Sequence, residues 1–398
     1  MDGAIHINQA INAQTKQKAA ATDHAIQPYV YASVFSSLCI IVGLIWDISW
    51  HTSIGRDGLL APPHDVIYLG AIFSGLFSSY QILRTTFFGS VAENQASVKF
   101  WGIFYGPLGA MFCVWGAIAM LTSAPFDDWW HNTYGLDVVI LSPPHTLLAL
   151  GMMMIQFGAM IAVLSSLHTA KNGNGAMHKA LFVIASGLLL TTLYCLFSEY
   201  LNKARSHSAV CYIVGAILFP LFLIAVLRAS KIKWAATGTA AVYMFVMLMM
   251  LWVLPIFHAT PRLGPVLNHF DHYQPFHFPL LLVIPALAID IIFFSLENKK
   301  PFIKVILAAL LFLLVFFIVQ WYFGGFLQAS PYARNWFFGS SAWYFGANPD
   351  WPYRYAFHPD RIDTGFSLVK GMMIAAIFAI LSGSLGNKWG GWMKRVQR

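Results

Sequence analysis

Apolar stretches of about eighteen residues or more recur along the chain, separated by short polar connections. A run of that length is what a helix needs to cross the hydrocarbon core of a bilayer. Ten are predicted, near 30–50, 65–83, 101–121, 144–165, 179–198, 209–228, 234–257, 277–296, 302–323 and 364–386. The expected fold is an all-α polytopic integral membrane protein of about ten transmembrane helices. Composition agrees with the pattern. Of 398 residues, 58% are hydrophobic and only 10% are charged, where a soluble domain carries about a quarter charged. This excludes an ordinary soluble enzyme and a disordered chain. The net charge of +8 comes from scarce acids rather than from a Lys/Arg stripe, so no nucleic-acid partner is expected. Cys39, Cys113, Cys195 and Cys211 lie in or beside apolar runs, without disulfide or zinc spacing, and are expected to be free buried thiols.

Three regions follow. Residues 1–28 form a polar tail without the tripartite pattern of a signal peptide. Residues 29–165 hold a duplicated pair of helical hairpins. Residues 166–398 hold the remaining spans, with a His-rich connection at 258–277 and an aromatic-rich one at 324–363. Sixteen Lys/Arg fall in the termini and the even-numbered connections, and seven in the odd-numbered ones. By the positive-inside rule both termini are cytoplasmic and the odd connections face outward, as in a bacterial inner membrane. Ten of fourteen histidines and eleven of sixteen acids lie on that outer, periplasmic side. A metal-ligand composition is therefore concentrated on one membrane face.

The sharpest motif occurs twice. Trp46–His64 reads WDISWHTSIGRDGLLAPPH, and Phe126–His145 reads FDDWWHNTYGLDVVILSPPH. Trp50 matches Trp130, Gly55 matches Gly135, Asp57 matches Asp137, and both copies end in Pro-Pro-His about 80 residues apart. Each copy joins the end of one span to the start of the next. Asp47 and His51, like Asp127 and His131, are four apart and share a helix face. The glycine permits a turn, and Pro-Pro opens the next helix. His64 and His145 then stand in a first helical turn at similar depth.

One carboxylate and two imidazoles with open positions left over suit copper, iron or zinc. The metal ligands expected are Asp47, His51 and His64, and Asp127, His131 and His145, with Trp50, Asp57, Trp130 and Asp137 around them. The competing account has these acids and histidines capping helices or reaching to water. Asp128 competes with Asp127, and spacing to His131 favours Asp127. A further outer cluster, His258, His269, Asp271, His272 and His277, could hold another metal or gate access. Asp290, deep in a span, needs a partner.

At these residues the chain resembles the C subunit of the copper membrane monooxygenases, the particulate methane and ammonia monooxygenases. One metal site of that family has an Asp, a His four on and a His thirteen further. The other has an Asn, a His four on and a His fourteen further. Asp47, His51 and His64 match the first spacing. Asp127, His131 and His145 match the second, with Asp in place of Asn. The resemblance covers about residues 30–165. It implies copper, dioxygen activation and oxidation of a small apolar or reduced substrate, with other membrane subunits, or copies of itself, as partners. This chain has several more spans than that subunit and a third His cluster. A non-catalytic metal-binding, assembly or transport subunit is the alternative reading.

Overall fold

The computed structural model describes residues 26–55, 58–135, 142–169, 175–262, 270–340 and 361–396. It is an all-α polytopic membrane protein. The long helices are α1 (Pro28–Ser53), α2 (Pro62–Phe88), α3 (Leu108–Tyr134), α4 (Pro143–Thr169), α5 (Ala176–Leu196), α6 (Ala209–Ser230), α7 (Ala235–Val253), α8 (Val283–Ser295), α9 (Pro301–Ala329) and α10 (Gly365–Met393). Among the described residues, all of these but α8 are long and apolar enough to cross a membrane. Their outward faces carry large apolar side chains, such as Leu76, Phe87, Leu314, Ile377 and Leu381. That surface suits lipid rather than water. All four cysteines are free and buried, as expected.

Two predicted spans depart from expectation. The third begins at Leu108 instead of near 101, because Val98–Phe100 and Phe104–Gly106 pair as a small antiparallel hairpin. Trp101 and Gly102 turn it at positive φ. The eighth shrinks to thirteen residues. Pro275 and Pro279 remove helical N–H donors and bias the residues before them to extended backbone. The segment before α8 therefore runs extended and is satisfied by side chains. Leu280 N–H donates to the Tyr243 hydroxyl at 3.1 Å and Leu281 N–H to Gln320 Oε1 at 3.3 Å. Irregular backbone at membrane depth persists only when buried in protein like this.

Small residues set the spacing of the first four helices. A Cβ at Gly109 or at Gly116 would lie 2.6 Å from the carbonyl oxygen of Gly158 or Gly151 respectively. These glycines recur seven residues apart on both helices, so α3 and α4 run antiparallel with backbones nearly touching, the small-residue packing common in membranes. The α1–α2 pair does the same at Gly43, which abuts the Pro63 carbonyl, and at Gly70, which abuts that of Ser36. The pairs are tied together by Cys113 donating to Ser33 Oγ and Gln156 donating to the Ser37 carbonyl, both at 3.4 Å.

In the remaining helices two buried acids do similar work. Asp290 in α8 accepts from Thr237 N–H at 2.8 Å and Thr237 Oγ at 2.6 Å, capping the start of α7. Asp363, just before α10, accepts from Ala209 N–H at 2.9 Å at the start of α6, from Ser367 Oγ at 2.7 Å and from Arg361 at 3.0 Å. The Ser367 hydroxyl above all, then Ala209 N–H and Arg361, outweigh burial and hold the Asp363 carboxyl down at about 2.

Gly116→Leu should force α3 and α4 apart and cost about 1–3 kcal/mol, the usual penalty of overpacking, read as a lowered thermal midpoint in detergent. Because Asp363 titrates below its unfolded value, its contribution of about 2 kcal/mol is whole above pH ~4 and lost as pH falls through about 2. Asp363→Asn should remove that acid-dependent component and lower the midpoint at neutral pH; an unchanged acid-unfolding curve would contradict the assignment.

Candidate metal centre

α1 and α3 end, and α2 and α4 begin, at the same end of the bundle. The described residues that flank the two connections match in both copies. Gly55 and Gly135 stand at φ +87° and +89°, a region open to glycine at little cost. Pro62 and Pro143 open the next helix, which leaves His64 and His145 in its first turn. The acid and one histidine come from the last two turns of the preceding helix.

In the second set, His131 Nε2 lies 3.5 Å and His145 Nε2 3.3 Å from the same Asp127 oxygen. One ligand atom from each of the three falls within 4.8 Å of the others, and among the described residues no other group of acids, histidines and cysteines is gathered this closely. Two donors each about 2.0–2.1 Å from one tetrahedral ion stand about 3.3 Å apart, so these separations fit a shared cation. The side chains are roughly three-quarters buried. His131 Nδ1 is 3.0 Å from the Gly135 carbonyl. A carbonyl only accepts, so Nδ1 is the donor in this bond, and Nε2 is the nitrogen that faces the acid. This outer hydrogen bond is the kind that orients metal-ligating histidines.

The first set repeats the layout more loosely. His64 Nε2 is 3.2 Å from Asp47 Oδ1, while His51 Nε2 is 3.8 Å from the other oxygen, Oδ2. His64 Nδ1 donates to the Gly58 carbonyl at 3.0 Å. His51 is the most exposed of the six, at 43%. The two sets therefore share residues and topology but not tightness.

Other expected residues sort out as follows. Asp128 accepts from Asn132 at 3.2 Å, and Asp127 is the acid that faces His131. Trp130 packs on Tyr134 and Phe126 beside the second set. Trp50 and Trp46 both pack on Tyr273. Asp57, Asp137 and His269 lie outside the described residues. In the third cluster, His258 and His272 form an isolated antiparallel bridge, and Asp271 lies 3.2 Å from His272 Nδ1. The same segment is fastened to the end of α1: Ser49 Oγ donates to the Gln274 carbonyl and Gln274 N–H to Ser53 Oγ, each at 2.7 Å. Gln274 is thus pinned beside the helix end that carries Asp47 and His51. His277 is half-buried and near enough to Lys203 for that charge to act on it.

Lys203 had no role in the sequence pattern beyond charge counting. It is only 2% exposed, and burial pulls its amine down to about 7. Nothing in a Lys between two spans marks it for burial; only the packing of the turn Lys203–Arg205 against α9 does so.

No protein-family model, curated protein or solved structure matches this chain.

Proposed function

We propose that the chain is a membrane metalloprotein in which Asp127, His131 and His145 hold a copper ion, with Asp47, His51 and His64 as a weaker companion site, and that it serves as an oxygen-dependent monooxygenase or oxidase or as a subunit of one. The observation that carries this reading is the convergence of one carboxylate oxygen and two imidazole nitrogens at ligand spacing. Three protein donors leave coordination positions open, the mark of a working rather than a purely structural site. Copper in such a site supplies one-electron chemistry towards dioxygen. The chain's own residues orient the imidazoles through the Gly135 and Gly58 carbonyls and balance charge with one carboxylate per site. The distribution of Lys and Arg supports a placement towards the outer side of a bacterial inner membrane, both termini cytoplasmic, where small apolar substrates partition. Iron and zinc are chemically compatible with the same donors.

Purified full-length protein, loaded with Cu(II) and freed of excess, should retain about one ion per chain, with nitrogen hyperfine structure in its paramagnetic resonance spectrum from the histidines. The paired substitution His131→Ala and His145→Ala should abolish that signal, whereas His51→Ala and His64→Ala should leave most of it. Retention of copper unchanged by the first pair would sink the site. Copper retained without reductant-driven oxygen uptake would leave a metal-holding subunit and remove the catalytic reading.

A further inference from the structure

The opposite end of the bundle holds a separate feature that depends on the membrane fold and not on the metal reading. α6 and α10 run side by side in the same direction. Ser382 Oγ donates to the Ala216 carbonyl at 2.6 Å, and further along Gly390 lies against the Ala225 carbonyl and the Cβ of Arg228. Where both helices end, Arg228, Lys231 and Lys394 gather. Like charge from Lys231, then burial, then like charge from Arg228 lower the proton affinity of the Lys394 amine. Arg228 Nε is buried and has no hydrogen-bond partner among the described residues. Among the described residues no carboxylate forms an ion pair with any of the three cations. The C-terminal turn is tied down beside them, where His168 of α4 contacts the carbonyls of Val396 and Ala229 at 3.2 Å.

Directly along the same helices, towards the middle of the bundle, lies a groove of about 420 Å³. Phe157, Leu189, Leu218, Phe222, Trp389 and Trp392 line it, and no charged side chain does. Both indoles stack on Phe157. Trp389 and Trp392 flank Gly390, so the groove's end and the Arg228 side chain are at one level. The two halves call for different chemistry in one ligand. A free anion would leave the apolar groove unfilled, and a neutral apolar molecule would leave the cations unbalanced. A phospholipid carrying net negative charge satisfies both: basic pockets between membrane helices take anionic headgroups, and tryptophan gathers at headgroup level.

We propose that α4, α6 and α10 form a binding site for one anionic phospholipid, with its phosphate held by Arg228, Lys231 and Lys394 and an acyl chain in the groove beside Phe157, Leu218 and Trp389. The test is native mass spectrometry of the full-length protein released from detergent after incubation with phosphatidylglycerol or with phosphatidylcholine of the same acyl chains. One phosphatidylglycerol should remain bound in preference to phosphatidylcholine. Each of Arg228→Gln, Lys231→Gln and Lys394→Gln should weaken retention about five-fold, and millimolar inorganic phosphate should not displace the lipid. Leu218→Trp, which fills the groove and spares the cations, should also reduce retention. Equal retention of the two lipids by the unaltered protein would overturn the proposal without recourse to any variant, as would displacement by phosphate alone.

Discussion

A carboxylate oxygen faced at 3.3 and 3.5 Å by two imidazole nitrogens requires positive charge between them. With the far nitrogen of His131 committed as donor to the Gly135 carbonyl, the near nitrogen has only a lone pair to offer the acid. Lone pair against lone pair is repulsive, so the arrangement calls for a second proton on the ring or a metal cation shared by the three side chains. The same logic applies to His64 and Asp47, where the Gly58 carbonyl takes the far proton. This requirement is what singles out that end of the bundle as the candidate site.

The helix pairs exist in a form that meets it. An acid near the end of one helix can reach a histidine at the start of the next only if the axes are close and the connection returns at once. Glycine pairs remove the side chains that would hold α3 and α4 apart. Gly135 ends α3 at positive φ, and Pro143 starts the next helix with a preset backbone angle. In the first copy the helix end is also fastened to the Gln274 segment through Ser49 and Ser53. His51 nevertheless stays further from its acid than His131 does.

The sequence made much of this legible and hid the rest for physical reasons. The spans could be read because a bilayer demands long apolar runs, whatever the packing. The pairing of Asp127 with His131 and His145 could be read because four-residue spacing and Pro-Pro-His each fix position locally. By contrast, composition alone made the segment at 277–282 look like part of a span. Pro275 and Pro279 deny it a helix, and its donors are met by Tyr243 and Gln320, residues distant in sequence. The bridge between His258 and His272, the burial of Lys203 and the clustering of Arg228, Lys231 and Lys394 are likewise tertiary facts, carried by no local spacing. The unequal tightness of the two sets was hidden for the same reason: their motifs read almost alike, and packing separates them.

The placement of the acids separates structural from chemical roles. Asp290 and Asp363 stand at the beginnings of α7 and α6, where exposed N–H groups and the positive end of the helix dipole neutralise them. Their burial is explained by what they bind. Asp47 and Asp127 stand within the last two turns of α1 and α3, where the dipole is negative and free N–H donors are absent. A carboxylate there gains nothing from its own helix and loses part of its hydration. Capping cannot account for such a position, and neither can packing, since an apolar side chain would serve better. What faces each acid instead is a pair of histidines, which can offset the cost either as imidazolium or by sharing a metal cation with the carboxylate, and the fold supplies that arrangement twice at one end of the bundle.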